Sequence, residues 1–187
     1  MVTIKVDKKT FIKNVTIIID TREQKNEHII SELDRLGVKY EQRKLDIGDY
    51  SFYIDDRDFS QSCVIERKAD VNELYGNIMH DRGRIEKEFE AASKNINQFV
   101  LLVENCASFE KLKEHKLSKC DMERQGRKVQ NIGEHCYNTL MSWQSGNRYD
   151  FRTIFVKDSS NTVGKMLEQF YYYWKNYREQ TDARRIK

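Results

Sequence analysis

Three stretches of this sequence dominate its folding problem: "VTIIID" (Val15 to Asp20), "SCVIERK" (Ser62 to Lys68) and "QFVLLVE" (Gln98 to Glu104). Each is a short apolar run that ends in charge. Apolar runs without polar alternation are the mark of strands covered on both faces. A strand covered on both faces needs helices above and below its sheet. The charges at the strand ends add a second constraint, because a buried charge costs folding energy unless it finds a partner or a bound ion.

The intervening segments have the helical period. "NEHIISELDRLG" carries Ile29, Ile30, Leu33 and Leu36 on one stripe, with Gly37 where a helix ends. From Val71 to about Lys94 the stripe is Leu74, Ile78, Ile85, Phe89 and Ala92, which predicts one long helix. "IGEHCYNTLMSWQS" and the stretch from Asn161 to about Gln180 also read as helices, the latter closing the chain. "VKYEQRKL", "SFYID" and "YDFRTIFVK" read as further strands, with "DIGD" between the first two. The opening "MVTIKVDKKTFI" is expected to form a frayed or edge segment, and "SFEKLKEHKLSKCDMERQGRKVQ" a short helix plus a mobile loop. Strands and helices thus alternate throughout, which implies an α/β sandwich with a mixed central sheet. With no repeat and no low-complexity tract, the 187 residues are read as a single domain with its core at about 15–180.

Composition narrows the class little. There are 33 basic and 30 acidic residues, a net charge of +3, which permits a nucleic-acid partner without requiring one. The cysteines Cys63, Cys106, Cys120 and Cys136 form no CxxC pair, and no apolar leader opens the chain. An intracellular protein with reduced thiols is expected, neither secreted nor membrane-spanning. Cys120 and Cys136 lie near His115 and His135, but their spacing fits no standard zinc pattern.

The chemistry concentrates in "ERK". Strand alternation puts Glu66 and Lys68 on one face and Arg67 on the other. Asp49 ends "LDIGD", beside a glycine that permits a tight turn. If the neighbouring segments bring Asp49 to Glu66, two hard oxygen donors converge, and the backbone carbonyl of Arg67 is available as a third. That set suits Mg²⁺ or Mn²⁺, which take one or two carboxylates together with water and phosphate. Lys68 beside it would stabilise charge on an attacked phosphate, so the arrangement is one for phosphodiester hydrolysis. The alternative is a solvated strand end. Clustered carboxylates repel when no cation is bound, so Glu66→Ala is expected to raise the stability of the metal-free protein.

Taken together and in order, "IIIDTRE", "LDIGDY", "VIERKADVNELYGNIMHDRGR" and "VLLVE" resemble the nuclease domain of the XPF-type structure-specific endonucleases. "NTLMSWQSGNRYDF" and the tyrosine-rich last helix extend the likeness more weakly. The resemblance implies a restriction-endonuclease-like three-layer sandwich, with a mixed sheet flanked by helices. It implies a metal-dependent endonuclease acting near branched, flapped or forked DNA in repair, recombination or replication. By matched position, Asp49 and Glu66 correspond to metal ligands and Lys68 to the catalytic lysine. Asp20 matches the acidic strand end beside the metal, and Arg67 the middle of the triplet. Arg22 and Glu23 match residues that support the site and the phosphate; the other reading is that they pair with each other or with Arg67. Arg84, with Arg82 in the same basic "HDRGR", matches the helix arginine facing the scissile region. Glu104 reads as a strand-end charge.

The sequence departs from that pattern in two ways. Where the family often has an aspartate four residues after the lysine, this chain has Asn72, and Asp70 sits two earlier. Either residue is able to cap the following helix. The usual helix-hairpin-helix and helicase-like domains find no counterpart in the sequence. The chain does keep the triplet that non-catalytic subunits of the family lose.

Basic residues in "HDRGR", "KLKEHKLSKCDMERQGRK" and "ARRIK" are candidate phosphate contacts, which predicts recognition of DNA by backbone and shape. In "FYYYWKNY", helical spacing assigns Phe170, Trp174 and Tyr177 to packing rather than to base stacking. Self-association through the final helices, or a partner subunit, is expected from the resemblance. Two competing readings are a non-catalytic DNA-binding or docking subunit with a vestigial site, and a sequence-specific restriction-type nuclease.

Overall fold

The five residues before Asp20 form a strand, β1 (Val15–Ile19), and all five are buried. Its neighbours follow from the turn chemistry around it. The helix α2 (Glu27–Leu36) ends at Gly37, whose φ of 65° lies in the left-handed region open to glycine. The chain then returns as β2 (Lys39–Gln42), parallel to β1. β3 (Tyr50–Ile54) lies antiparallel on the other side of β1, pairing Ile19 with Tyr50 and Val15 with Ile54. A tight turn leads from β3 into a two-residue strand, β4 (Arg57–Asp58), which the sequence pattern did not predict. β5 (Cys63–Lys68) is buried along its whole length, the "ERK" included. β6 (Gln98–Glu104) and β7 (Arg152–Val156) run parallel. The seven-stranded sheet has the order β2-β1-β3-β5-β6-β7, with β4 paired to β3. Parallel and antiparallel pairs coexist in it. The architecture is the α/β fold with a mixed central sheet flanked by helices that the alternation of segments predicts.

This computed structural model describes residues 7–124, 126 and 130–185. The opening "MVTIKV", the basic positions 127 and 128 and the side chains of "ARRIK" lie outside the described residues. The chain gathers into two compact units: residues up to Ile65 with those from Ser160 on, and Glu66–Ser159.

The first unit has an aromatic core. "KKTFIKN" is a helix, α1 (Lys8–Asn14), and not an edge segment, because the Asp7 side chain accepts from the Thr10 amide and caps it. Its buried Phe11 meets Phe52 of β3 at 6.0 Å and Trp174 at 5.3 Å. Phe52 in turn stacks on Phe59 at 4.6 Å and meets Phe170 at 4.8 Å. Phe170 and Trp174 belong to the closing helix α8 (Thr162–Arg185), whose buried stripe is Val163, Met166, Leu167, Phe170 and Trp174. Tyr177 touches Phe59 edge-on at 5.2 Å. Phe170, Trp174 and Tyr177 therefore pack, as their spacing predicts, while Tyr172 is exposed.

The second unit centres on Phe89, with Phe99, Trp143 and Phe151 all within 5.1 Å of its ring. The single helix expected from Val71 is two, α3 (Val71–His80) and α4 (Arg82–Asn95), broken at Asp81. The cause is local: between Ile78 and Ile85 the only apolar side chain, Met79, faces solvent, and Gly83 lowers helix propensity there. After α5 (Phe109–Glu114), the stretch expected to be a loop contains a further helical turn, α6 (Lys119–Arg124). The start of α7 (Ile132–Gln144) approaches α5 so closely that a Cβ on Gly133 would sit 1.9 Å from the Leu112 carbonyl oxygen. No described helix is long and apolar enough to cross a membrane.

Candidate active site

In the first unit, the ends of β1 and β3 are tied together by the backbone. The Asp20 amide donates to the Asp49 carbonyl at 2.8 Å, and the Asp49 amide donates to the Ile65 carbonyl at 2.9 Å. Gly48 makes that second contact possible. It holds a φ of 75°, and a Cβ there would lie 3.2 Å from the Ile65 oxygen and 3.3 Å from Val64. Asp49 itself is half-buried.

Asp20, matched by sequence to the acidic strand end at the metal and counted there among the candidate ligands, is held by a set of close donors. Its carboxylate is 1% exposed and both oxygens accept hydrogen bonds. Oδ1 takes the Arg22 backbone amide and Nε, each at 2.7 Å; Oδ2 takes Arg22 Nη2 at 3.1 Å and the Leu45 amide at 2.6 Å. Burial pushes this carboxyl upward, but the donors from Arg22 and Leu45 outweigh it and hold its pKa below the ordinary value. Arg22 also donates to the Leu45 carbonyl at 2.9 Å, yet its side chain is 62% exposed. Asp20 thus orients an arginine while its second oxygen also holds the Leu45 turn. Glu23 accepts from the Tyr50 hydroxyl at 3.3 Å.

In the second unit, strand alternation sorts the triplet as expected. The Lys68 ammonium lies 2.5 Å from Glu66 Oε1, and both side chains are about as buried as the strand itself, 6% exposed each. Arg67, pointing the other way, lies 2.7 Å from Glu104 Oε2, with that pair 4% and 1% exposed. Glu104 is therefore a buried partner and not a plain strand-end charge. The Glu66–Lys68 contact also overturns the expected gain in stability for Glu66→Ala. The carboxylate faces an ammonium at 2.5 Å, so removing it takes away an attraction at a buried cation and not a repulsion.

The loop after Lys68 is shaped by α3. Asp70 caps it, accepting from the Glu73 amide at 2.8 Å, while Glu73 Oε2 accepts from the Ala69 amide at 2.9 Å. This reciprocal capping settles which of Asp70 and Asn72 starts the helix. The Asn72 side-chain oxygen is buried and makes no hydrogen bond. Sequence reasoning passed over Glu73, although the Asp-x-x-Glu spacing was there to be read.

The helix arginines divide. Arg82 donates to Glu86 at 3.0 Å and lies over the Trp143 ring at 5.8 Å, a packing role. Arg84 is 62% exposed, with Asp81 and Glu88 at 3.8 and 3.9 Å. Contacts that loose and solvated hold a side chain weakly, so Arg84 is open to a ligand. Among the described residues no three His, Cys, Asp or Glu side chains gather into a group able to hold a metal ion.

The ERCC4 domain model matches residues 19–169. The chain belongs to the ERCC4 domain family. Within the ERCC4 match lie Asp20, Asp49, the Glu66–Arg67–Lys68 triplet and Arg84. Two solved structures share the fold. One is XPF from Aeropyrum pernix, with 18% identity and a TM-score of 0.58, covering 91% of this chain and 69% of that one. The other is XPF from Aeropyrum pernix in complex with DNA, with 18% identity and a TM-score of 0.57, covering 86% of this chain and 65% of that one. The ERCC4 chain described here thus spans about two thirds of the XPF chains it matches. No curated protein matches it.

Proposed function

We propose that this ERCC4 domain is a metal-dependent DNA endonuclease that hydrolyses phosphodiester bonds near branches, flaps or forks. The observation that carries the reading is the Glu66–Lys68 pair, a carboxylate and an ammonium held together at the buried end of β5. Burying such a pair is seldom worth its desolvation cost for stability alone.

The donors fit Mg²⁺ or Mn²⁺. Such ions need only one or two carboxylates and complete their shell with water and phosphate oxygens, and Glu66 and Asp49 are the two assigned here. When bound, the ion supplies a polarised phosphate and a water of lowered pKa. The chain's own residues do the rest. Lys68 stabilises the negative charge that grows on the phosphate, at a buried position where water screens it little. Arg22, oriented by Asp20, and Arg84 hold the flanking phosphates. Arg67, locked to Glu104, fixes the strand that carries Glu66 and Lys68. Recognition runs through backbone and shape, and the DNA is handled inside the cell by a homodimer or with a partner subunit.

The experiment is cleavage of labelled forked, flapped and linear DNA in Mg²⁺, Mn²⁺ or EDTA. Incision near the branch with either ion, none in EDTA, and loss of incision in Lys68→Ala and Asp49→Ala at retained fold are expected. Junction binding without nicking in any ion would make the domain a non-catalytic DNA-binding subunit. Discrete bands from plain duplex would make it a restriction-type enzyme.

A further inference from the structure

Glu73 has more than a capping role. Lys68 Nζ lies 2.5 Å from Glu66 Oε1 and 4.0 Å from Glu73 Oε1. Nor is the Glu73 carboxylate a loose surface group, although it is 43% exposed. Its Oε2 is fixed by the Ala69 amide at 2.9 Å, and its own amide is fixed by Asp70 Oδ1 at 2.8 Å. With one oxygen bound to the backbone, the other is left within ion-pair range of the lysine.

We propose that Glu73 is a positioning residue that receives the Lys68 ammonium when Glu66 takes up a divalent cation. This rests on the proposed metal-dependent reaction. A dication taken up by the Glu66 carboxylate would repel the ammonium that lies 2.5 Å from its Oε1. A buried ammonium that simply loses its carboxylate is costly, so a second carboxylate close by lowers the barrier to exchange. Glu73 stands on the first turn of α3, one helix cap away from the lysine, and a short swing of the lysine's terminal bonds reaches it. The exchange is a movement of a charged group between two carboxylates, with no proton or bond transferred. It leaves Lys68 charged and turned toward the reacting phosphate.

The test is a Mg²⁺ titration of the full chain without DNA, followed by NMR of the side-chain signals of Glu66, Lys68 and Glu73. All three are expected to move together in the wild type. In Glu73→Gln, where the amide oxygen still accepts from Ala69, the Glu66 signal still moves, but half-response needs about fivefold more Mg²⁺. Cleavage in that variant shifts to higher Mg²⁺ by the same factor at unchanged KM for DNA. A Glu66 signal that moves while Lys68 and Glu73 stay still overturns the role of Glu73 alone. If none of the three moves, the metal-dependent reading fails and the exchange falls with it. Should Glu73→Gln not fold, the three wild-type signals decide the matter.

Discussion

Glu66 and Lys68 are neighbours on one face of β5, and their stability effect follows from their burial. In the metal-free protein, Glu66→Ala leaves the Lys68 ammonium in a site that is 6% exposed, without the carboxylate at 2.5 Å. A loss of about 3 kcal/mol is expected, read as a lower urea midpoint in the presence of EDTA. Asp20 gives a pH dependence of fixed sign. Its folded-state pKa is depressed below 3.8, so its contribution is complete at neutral pH, and fades only as pH falls below that ordinary value and through the folded one. Acid unfolding of Asp20→Asn is therefore expected to lose this component, narrowing its stability gap to wild type below about pH 4. At this scale the sequence was legible where the backbone period decides the outcome. Alternation alone places Glu66 with Lys68 and Arg67 apart. It was illegible where a distant turn supplies the partner: the Leu45 amide that occupies Asp20 is 25 residues away, and no local pattern encodes that meeting.

Elements are held in place by close approaches as much as by apolar stripes. α5 and α7 pass so near at Gly133 that the Leu112 oxygen and the His115 Cβ, the latter 2.8 Å from a built Cβ, leave no room for a methyl group. Gly133→Ala is expected to cost about 3 kcal/mol, measured by chemical denaturation, because backbone and not a flexible side chain must yield. The stripes themselves foretold β1, α2, β5, β6, α7 and α8. They missed the break at Asp81, because Ile78 and Ile85 are seven residues apart and so keep the helical period across it. The small strand β4 was hidden for another reason. Its two residues, Arg57 and Asp58, are exposed, so no apolar pattern marks them as a strand.

For the whole molecule, the mixed sheet is what local reading predicts, and its strand order is what local reading does not supply. Alternating segments predict an α/β fold; they do not say that β3 lies between β1 and β5. The aromatic cluster of the first unit shows the same limit, since Phe170 reaches Phe52 from the far end of the chain. Truncating that fully buried ring, Phe170→Ala, is expected to destabilise by about 4 kcal/mol, visible as a lower melting temperature.

The first unit is assembled from two stretches that flank the second in sequence, with α8 laid against Phe11 and Phe52. A ribosome making this protein delivers the uninterrupted Glu66–Ser159 unit before it releases α8. Until then the rings of β3 and α1 lack their cover. Nascent chains stalled before residue 160 are the form in which chaperones would find this protein most adhesive, and translation pauses in that window should raise the fraction lost to aggregation.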